Sequence, residues 1–295
     1  LIVGTLVASF LSTNAFLGET GFSYQGHGPL LLIMTSVNGM GYVFGALFFG
    51  RFLRRSEALT VAEYFGRRFE SQGDRVQMAA GLTVIVGLSV YLLAVTQGAS
   101  LIVSQVTDIP YSVAVFMVWA GYTSFTLYSG SRGVILTDTL MFLLFTVVGF
   151  VALYYIIDSA GGWFATIESL SDFEPKPDLL AWHGYTGPES QWQTPMDGLT
   201  WAVIMGLSWG LVVAVSPWQS SRYLMAKDEH TVIRAACVAI GAILTLYIAL
   251  VFGAAAINLV NPDIAPPERA MIWAALNLMP TLPAVLLMTG IMAAA

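Results

Sequence analysis

The sequence predicts an all-α, polytopic membrane protein, and three observations predict it. Of 295 residues, 57% are hydrophobic and 10% charged, where a soluble domain carries about 25% charged residues. The apolar residues gather in eight charge-free runs, most of them at or above the roughly 20 residues that carry a helix across hydrocarbon. These runs are continuous rather than alternating, which argues against the roughly ten-residue strands of a membrane barrel.

The runs cover residues 1–18, 28–50, 76–107, 109–131, 139–157, 198–221, 235–261 and 271–295. Each is expected to form one span, numbered 1 to 8 in chain order. Residue 1 is Leu, and both ends of the sequence fall inside apolar runs. The expectation is therefore a single transmembrane domain over 1–295, truncated at both ends, with no signal peptide.

Charge sets the orientation. Twelve basic residues face 18 acidic ones, a net charge of −6, so the basic face of a nucleic-acid binder is missing. Arg51, Arg54, Arg55, Arg67, Arg68 and Arg75 follow span 2, and Arg132 follows span 4. Arg222, Lys227 and Arg234 follow span 6, all on the same side, where Arg222 reads as a topology determinant. Only Lys176 and Arg269 fall on the other side. Because basic loops stay in the cytoplasm, the N-terminal end is expected inside the cell (inner or plasma) membrane. The acid-rich loop 158–197 is then extracytoplasmic, and its acids read as a solvated face. The one cysteine, Cys237, excludes a disulfide scaffold and reads as a small buried hydrophobe. His27, His183 and His230 fall at or beyond span ends, read as solvated, and are assigned no metal.

Polar groups at membrane depth are costly and tend to mark substrate or ion paths. Ser9, Ser12, Thr13 and Asn14 form a polar island inside span 1, followed by Gly18, Glu19, Thr20 and Gly21. Such an interruption fits a discontinuous helix whose freed carbonyls coordinate a cation. Hydrogen bonding to neighbouring helices is the alternative. In span 6, Pro217 removes a backbone donor and frees a carbonyl one turn earlier, beside Ser216, Gln219 and two tryptophans. Five spans separate the two interruptions, the offset expected of an inverted repeat of five helices. Asp138 opens span 5 and can either cap that helix or serve as a cation waystation. Tyr91, Gln97 and Ser100 on span 3 are candidate pocket walls.

At these residues the chain resembles the sodium/solute symporter family. Ala8-x-x-Leu11-Ser12, with Phe16-Leu-Gly18, looks like the family's first core helix. Thr60-Val-Ala-Glu-Tyr-Phe-Gly-Arg-Arg-Phe69 resembles the loop after the second. Ser129-Gly-Ser-Arg-Gly-Val-Ile-Leu-Thr-Asp138 resembles the approach to the fifth. Trp209-Gly-Leu, Pro217 and Arg222-Tyr-Leu-Met-Ala226 resemble the sixth, and Gly290-Ile-Met-Ala-Ala-Ala295 the start of the eighth. The resemblance implies a five-plus-five inverted-repeat transporter core, of which this fragment holds core helices 1 to 8.

It also implies a sodium site made by the backbone carbonyls of Ala8, Leu11 and Ala294, with Ser12 beside them and two further hydroxyls beyond Ala295. Asp138 matches an aspartate on the family's sodium release path. Phe10, Asn14, Tyr91, Gln97, Trp209, Ser216 and Pro217 are the implied or candidate substrate contacts. Phe10 replaces an aspartate of the proline carriers and an asparagine of the sugar carriers. Val212 and Val213 stand where sugar carriers place a tyrosine gate, which argues against a sugar. The Pro217 pattern is shared with the amino-acid, pantothenate and short-carboxylate branches.

The implied function is a sodium-coupled secondary active symporter importing a small amino-acid or carboxylate-type solute by alternating access. Sodium is the coupling ion, and no cofactor is expected. The implied partners are the solute and the lipid bilayer. The alternative is a transporter-like sensory input domain of a membrane histidine kinase. No nucleophile–base pair or metal-ligand cluster supports an enzyme.

Overall fold

The computed structural model describes residues 1–11, 13–69 and 72–293, and among them there is no strand. Ser12 and Ala294, both expected at the ion site, lie outside the described residues.

Span 1 begins as α1 (Ile2–Phe10) and stops at Leu11, whose backbone is extended (φ −74°, ψ 114°). It resumes as α2 (Thr13–Phe16) and α3 (Gly18–Phe22). A π-helical turn at Ser23–His27 follows, with Gly26 at φ 107°, a conformation that glycine adopts without strain. The chain continues through α4 (Gly28–Gly45), a second π-helical turn and α5 (Arg51–Arg55). The apolar helical stretch Asn14–Arg55 has 42 residues. That is about twice what one crossing needs, so it forms two legs on either side of Gly26.

The connecting α6 (Val61–Arg68) starts at the N-cap Thr60. The Thr60 hydroxyl accepts from the Glu63 amide at 3.0 Å, and the Glu63 carboxylate accepts from the Leu59 amide at 2.7 Å. Next come α7 (Gly73–Thr107) and α8 (Tyr111–Ser159), the latter bent at Gly130 (φ 59°, ψ −165°). Spans 4 and 5 are thus joined within one helix by a bend. Loop 158–197 carries the short α9 (Trp163–Ser171). Span 6 is α10 (Pro195–Val215) and α11 (Pro217–Leu224), separated at Ser216, which is extended (φ −62°, ψ 142°). Then follow α12 (Glu229–Val260), α13 (Ala270–Leu278) and α14 (Thr281–Ala293).

Five helices among the described residues are long and apolar enough to cross a membrane: Asn14–Arg55, Gly73–Leu101, Gly133–Ser159, Pro195–Val215 and Glu229–Val260. The other three expected spans, 1, 4 and 8, are also helical, in shorter or merged helices. Span 1 is cut by its break, and span 4 is fused into α8. Span 8 is split because Pro280 disfavours a helical residue before it, and Met279 is extended (φ −112°, ψ 147°).

The core centres on α12, which packs against α1, α4 and α8 and buries Ala236, Ala239, Ile243, Leu246 and Tyr247. Its Cys237 is exposed, on the opposite face from that core, which corrects the buried reading. The tightest pair is α4 with α10. A Cβ at Gly41 would collide with the Gly210 carbonyl, and one at Gly206 would lie 2.8 Å from the Met34 carbonyl. Small residues let these backbones approach, as membrane helices require.

Loop 158–197 folds back onto the π-helical turn. The Tyr185 amide donates to the Gly26 carbonyl at 2.8 Å. The Lys176 ammonium donates to the Tyr24 carbonyl at 2.7 Å and to Asn258 Oδ1 at 2.5 Å. Burial pushes this ammonium down to about 8, against the pull of the Asp263 carboxylate. His27, expected in solvent, is only 3% exposed and sits against Phe22 and Trp192.

Candidate functional site

The two extended residues, Leu11 and Ser216, interrupt the two helices that the sequence marked. A helix end leaves its last carbonyls without intrahelical donors. The end of α1 therefore offers hard oxygen ligands around Ala8 and Leu11, the donor type that alkali and alkaline-earth cations take. Helix α14 packs against α2 and so brings the eighth span beside this break.

Between the breaks lies a cavity of about 140 Å³, lined by Ser9, Phe10, Asn14, Glu19, Met34, Asn38, Tyr91, Trp209, Val213, Trp218, Gln219 and Tyr247. Among the described residues one carboxylate lines it. Glu19 Oε2 accepts from the Tyr247 hydroxyl at 2.5 Å, and Oε1 accepts from the Asn14 amide at 3.3 Å. Tyr91 and Trp218 stack with centroids 4.9 Å apart and ring planes 4° from parallel. Phe10 meets Tyr247 edge-on at 5.8 Å. Among the described residues Asn38 Oδ1 and Gln219 Oε1 are buried without a partner, on residues 6% and 1% exposed.

Tyr42, on α4, joins the two interrupted helices. Its hydroxyl donates to the Leu6 carbonyl of α1 at 2.9 Å and accepts from the Gln219 amide of α11 at 2.8 Å. One turn before Ser9 on α1, the Thr5 hydroxyl donates to Asp138 at 2.5 Å. Arg222 Nη2 approaches the same carboxylate oxygen at 3.5 Å, and its Nη1 donates to the Trp218 carbonyl at 2.7 Å. Asp138 lies two turns past the Gly130 bend, inside a continuous helix, so it caps nothing. Its partners are Thr5 and Arg222, a contact that the sequence reading of Arg222 did not include.

Of the expected substrate contacts, Phe10, Asn14, Tyr91 and Trp209 line the cavity. Gln97 is exposed on α7 and does not. Six residues beyond Tyr91 is 600° of helical turn, which carries Gln97 away from the Tyr91 face. Ser216 is buried at the break with its hydroxyl unpartnered, and Pro217 opens α11, so both shape the wall without lining it. Glu19, Asn38, Gln219, Trp218 and Tyr247 also line the cavity. Glu19, Gln219 and Trp218 stand beside the two interruptions and were visible there as polar or aromatic neighbours. Asn38 and Tyr247 carried no local signal, because their roles depend on how α4 and α12 pack. Among the described residues no group of three or more His, Cys, Asp or Glu could hold a metal ion.

Comparison with known proteins agrees with this architecture. The sequence model of the Sodium:solute symporter family (SSF) matches residues 2–295. The chain is 25% identical over 175 residues to a sodium/pantothenate symporter of Escherichia coli (strain K12), covering 58% of this chain and 36% of that protein. It is 24% identical over 186 residues to a sodium/pantothenate symporter of Haemophilus influenzae (strain ATCC 51907 / DSM 11121 / KW20 / Rd), covering 62% of this chain and 38% of that protein. The matches thus span little more than a third of these curated relatives. A solved structure, described as the substrate-bound outward-open state of a Na+-coupled sialic acid symporter, aligns with a TM-score of 0.73. That alignment has 17% identity and covers 99% of this chain and 62% of the other, which establishes a shared fold.

Proposed function

The chain belongs to the Sodium:solute symporter family, and we propose that it performs sodium-coupled import of a small organic solute of amino-acid or carboxylate type. The single observation that carries this reading is the polar cavity between two helix breaks, each marked by an extended residue.

In this reading sodium binds at the first break, on the carbonyls of Ala8 and Leu11. Solute binds in the adjoining cavity, against Phe10, Asn14, Tyr91 and Trp209. Ser216 and Pro217 keep the second break open. Sodium coordination ties α1 to span 8 and so favours one of two global states, by as much as its affinity differs between them. The contacts of Asp138 with Thr5 and Arg222 close the path below the cavity, on the side we assign to the cytoplasm. Their opening releases sodium past Asp138. A membrane potential supplies about 2.3 kcal/mol per charge per 100 mV. That is about fiftyfold accumulation for one sodium, before any gradient is counted.

The test is uptake by the full-length protein in proteoliposomes, from a pool of labelled amino acids and short carboxylates, with and without an inward sodium gradient. Saturable accumulation of one solute only with the gradient is expected. Accumulation indifferent to sodium, or sodium-dependent binding with no transport of any solute, would overturn the symport reading.

A further inference from the structure

Resting on the import reading, we propose that the transported solute carries a protonated primary or secondary amine, and that Glu19 is its counter-charge. Four features of the cavity converge on this. First, among the described residues its one charged lining residue is the Glu19 carboxylate, and no Lys or Arg lines it. Both oxygens of Glu19 accept hydrogen bonds, from Tyr247 and Asn14, and an ammonium bound beside them would favour the ionised form. Second, Arg222, which packs on the Trp218 carbonyl, is committed to Asp138 and does not line the cavity. An amine-free carboxylate entering here would meet a like charge with no cation to offset it.

Third, the walls are aromatic. Phe10, Tyr91, Trp209, Trp218 and Tyr247 surround the space. Ring faces attract an ammonium through their quadrupole, most strongly when water is excluded. Fourth, Asn38 Oδ1 and Gln219 Oε1 are buried acceptors with no donor among the described residues. A buried acceptor without a donor costs free energy, and ammonium N–H groups can supply the missing donors. A quaternary ammonium has no N–H and would leave both oxygens unsatisfied. The volume of about 140 Å³ lies below the roughly 300 Å³ of pockets for drug-sized ligands, so the amine belongs to a small molecule, as in an amino acid.

The test compares two panels on the full-length protein in proteoliposomes. One holds the twenty amino acids and small primary and secondary amines. The other holds amine-free carboxylates: propionate, pyruvate, lactate and pantothenate. Accumulation confined to the first panel is expected, with the N-trimethylated form of the accepted amine at least about tenfold weaker as a competitor. Glu19→Gln should weaken apparent affinity by about 10- to 100-fold, while Glu19→Asp retains part of it. The thermal melt of Glu19→Gln should match the parent protein, which separates recognition from misfolding. Accumulation of pantothenate or another second-panel solute, driven by sodium, would overturn the amine assignment and leave sodium coupling intact. Accumulation of an amine without sodium would overturn the coupling and support the assignment. If no amine is accumulated or bound, the assignment fails, whatever sodium does to the tryptophan fluorescence of the same preparation.

Discussion

The two interrupted helices reach the same local geometry by different means. In span 6 the interruption is written into covalent structure. Pro217 has no amide hydrogen and its ring clashes with the preceding turn, so Ser216 is extended wherever the helix is packed. In span 1 no proline stands near Leu11. The extended residue there follows from a polar island of weak helix formers and from what surrounds it. Tyr42 holds the Leu6 carbonyl, Tyr247 and Asn14 hold Glu19, and α14 packs beside α2. The first interruption is thus a tertiary property and the second a local one. A bundle built this way can reshape the ion-binding helix through its neighbours while the other half stays fixed.

The sharpest way to break the contrast is Pro217→Ala. It restores the amide and removes a helix penalty of about 3 kcal/mol, enough to shift the broken-to-continuous balance about a hundredfold. Initial uptake rates should fall by a comparable factor while the folded protein persists in a thermal melt. Unchanged uptake would mean that packing, not proline, holds this break.

Tyr42→Phe acts on the bond between the two helices. It removes the donor to the Leu6 carbonyl and the acceptor of the Gln219 amide, both buried. A loss of about 1–3 kcal/mol is expected, read as a lower melting temperature. The loss should be smaller in Pro217→Ala than in the parent, since the two changes share a partner helix. Full additivity would argue that the breaks are independent.

The smallest effect lies outside the membrane, where loop 158–197 is pinned on the turn between the legs of the first half. Lys176 is held down to about 8 from its ordinary 10.5. The folded state then binds fewer protons than the unfolded one between these values, so stability rises with pH over that window. Below about pH 8 the charged form carries its full burial cost. The melting temperature should therefore drift upward from pH 8 to about 10, and Lys176→Met should remove the drift.

Much of the site was legible because membrane solvent punishes polar groups. The island around Asn14 and the Ser216–Pro217 pair stand out against apolar runs, and both fall at breaks. Phe10, Asn14, Tyr91 and Trp209 were named and do line the cavity. Gln97 was misplaced because helical spacing gives a face but not which face meets a partner. Asn38 and Tyr247 sit in ordinary-looking apolar helices, and only the packing of α4 and α12 turns them toward the cavity. For Asp138 the sequence left a helix cap and a cation waystation open; the helix that runs through the Gly130 bend excludes the cap.

By itself the sequence determined the all-helical membrane class, the two interruptions and their five-span offset. Hydropathy, proline geometry and backbone hydrogen-bond demand are local, and they act wherever those residues stand. Tertiary structure alone decided that Glu19 meets Tyr247 across 228 positions, that Asp138 meets Thr5 across 133, and that Tyr42 spans the two breaks. Those pairings depend on which helix faces pack together. In a bilayer, where lipid is as apolar as leucine, that choice rests on close-packing small residues and on polar groups finding one another.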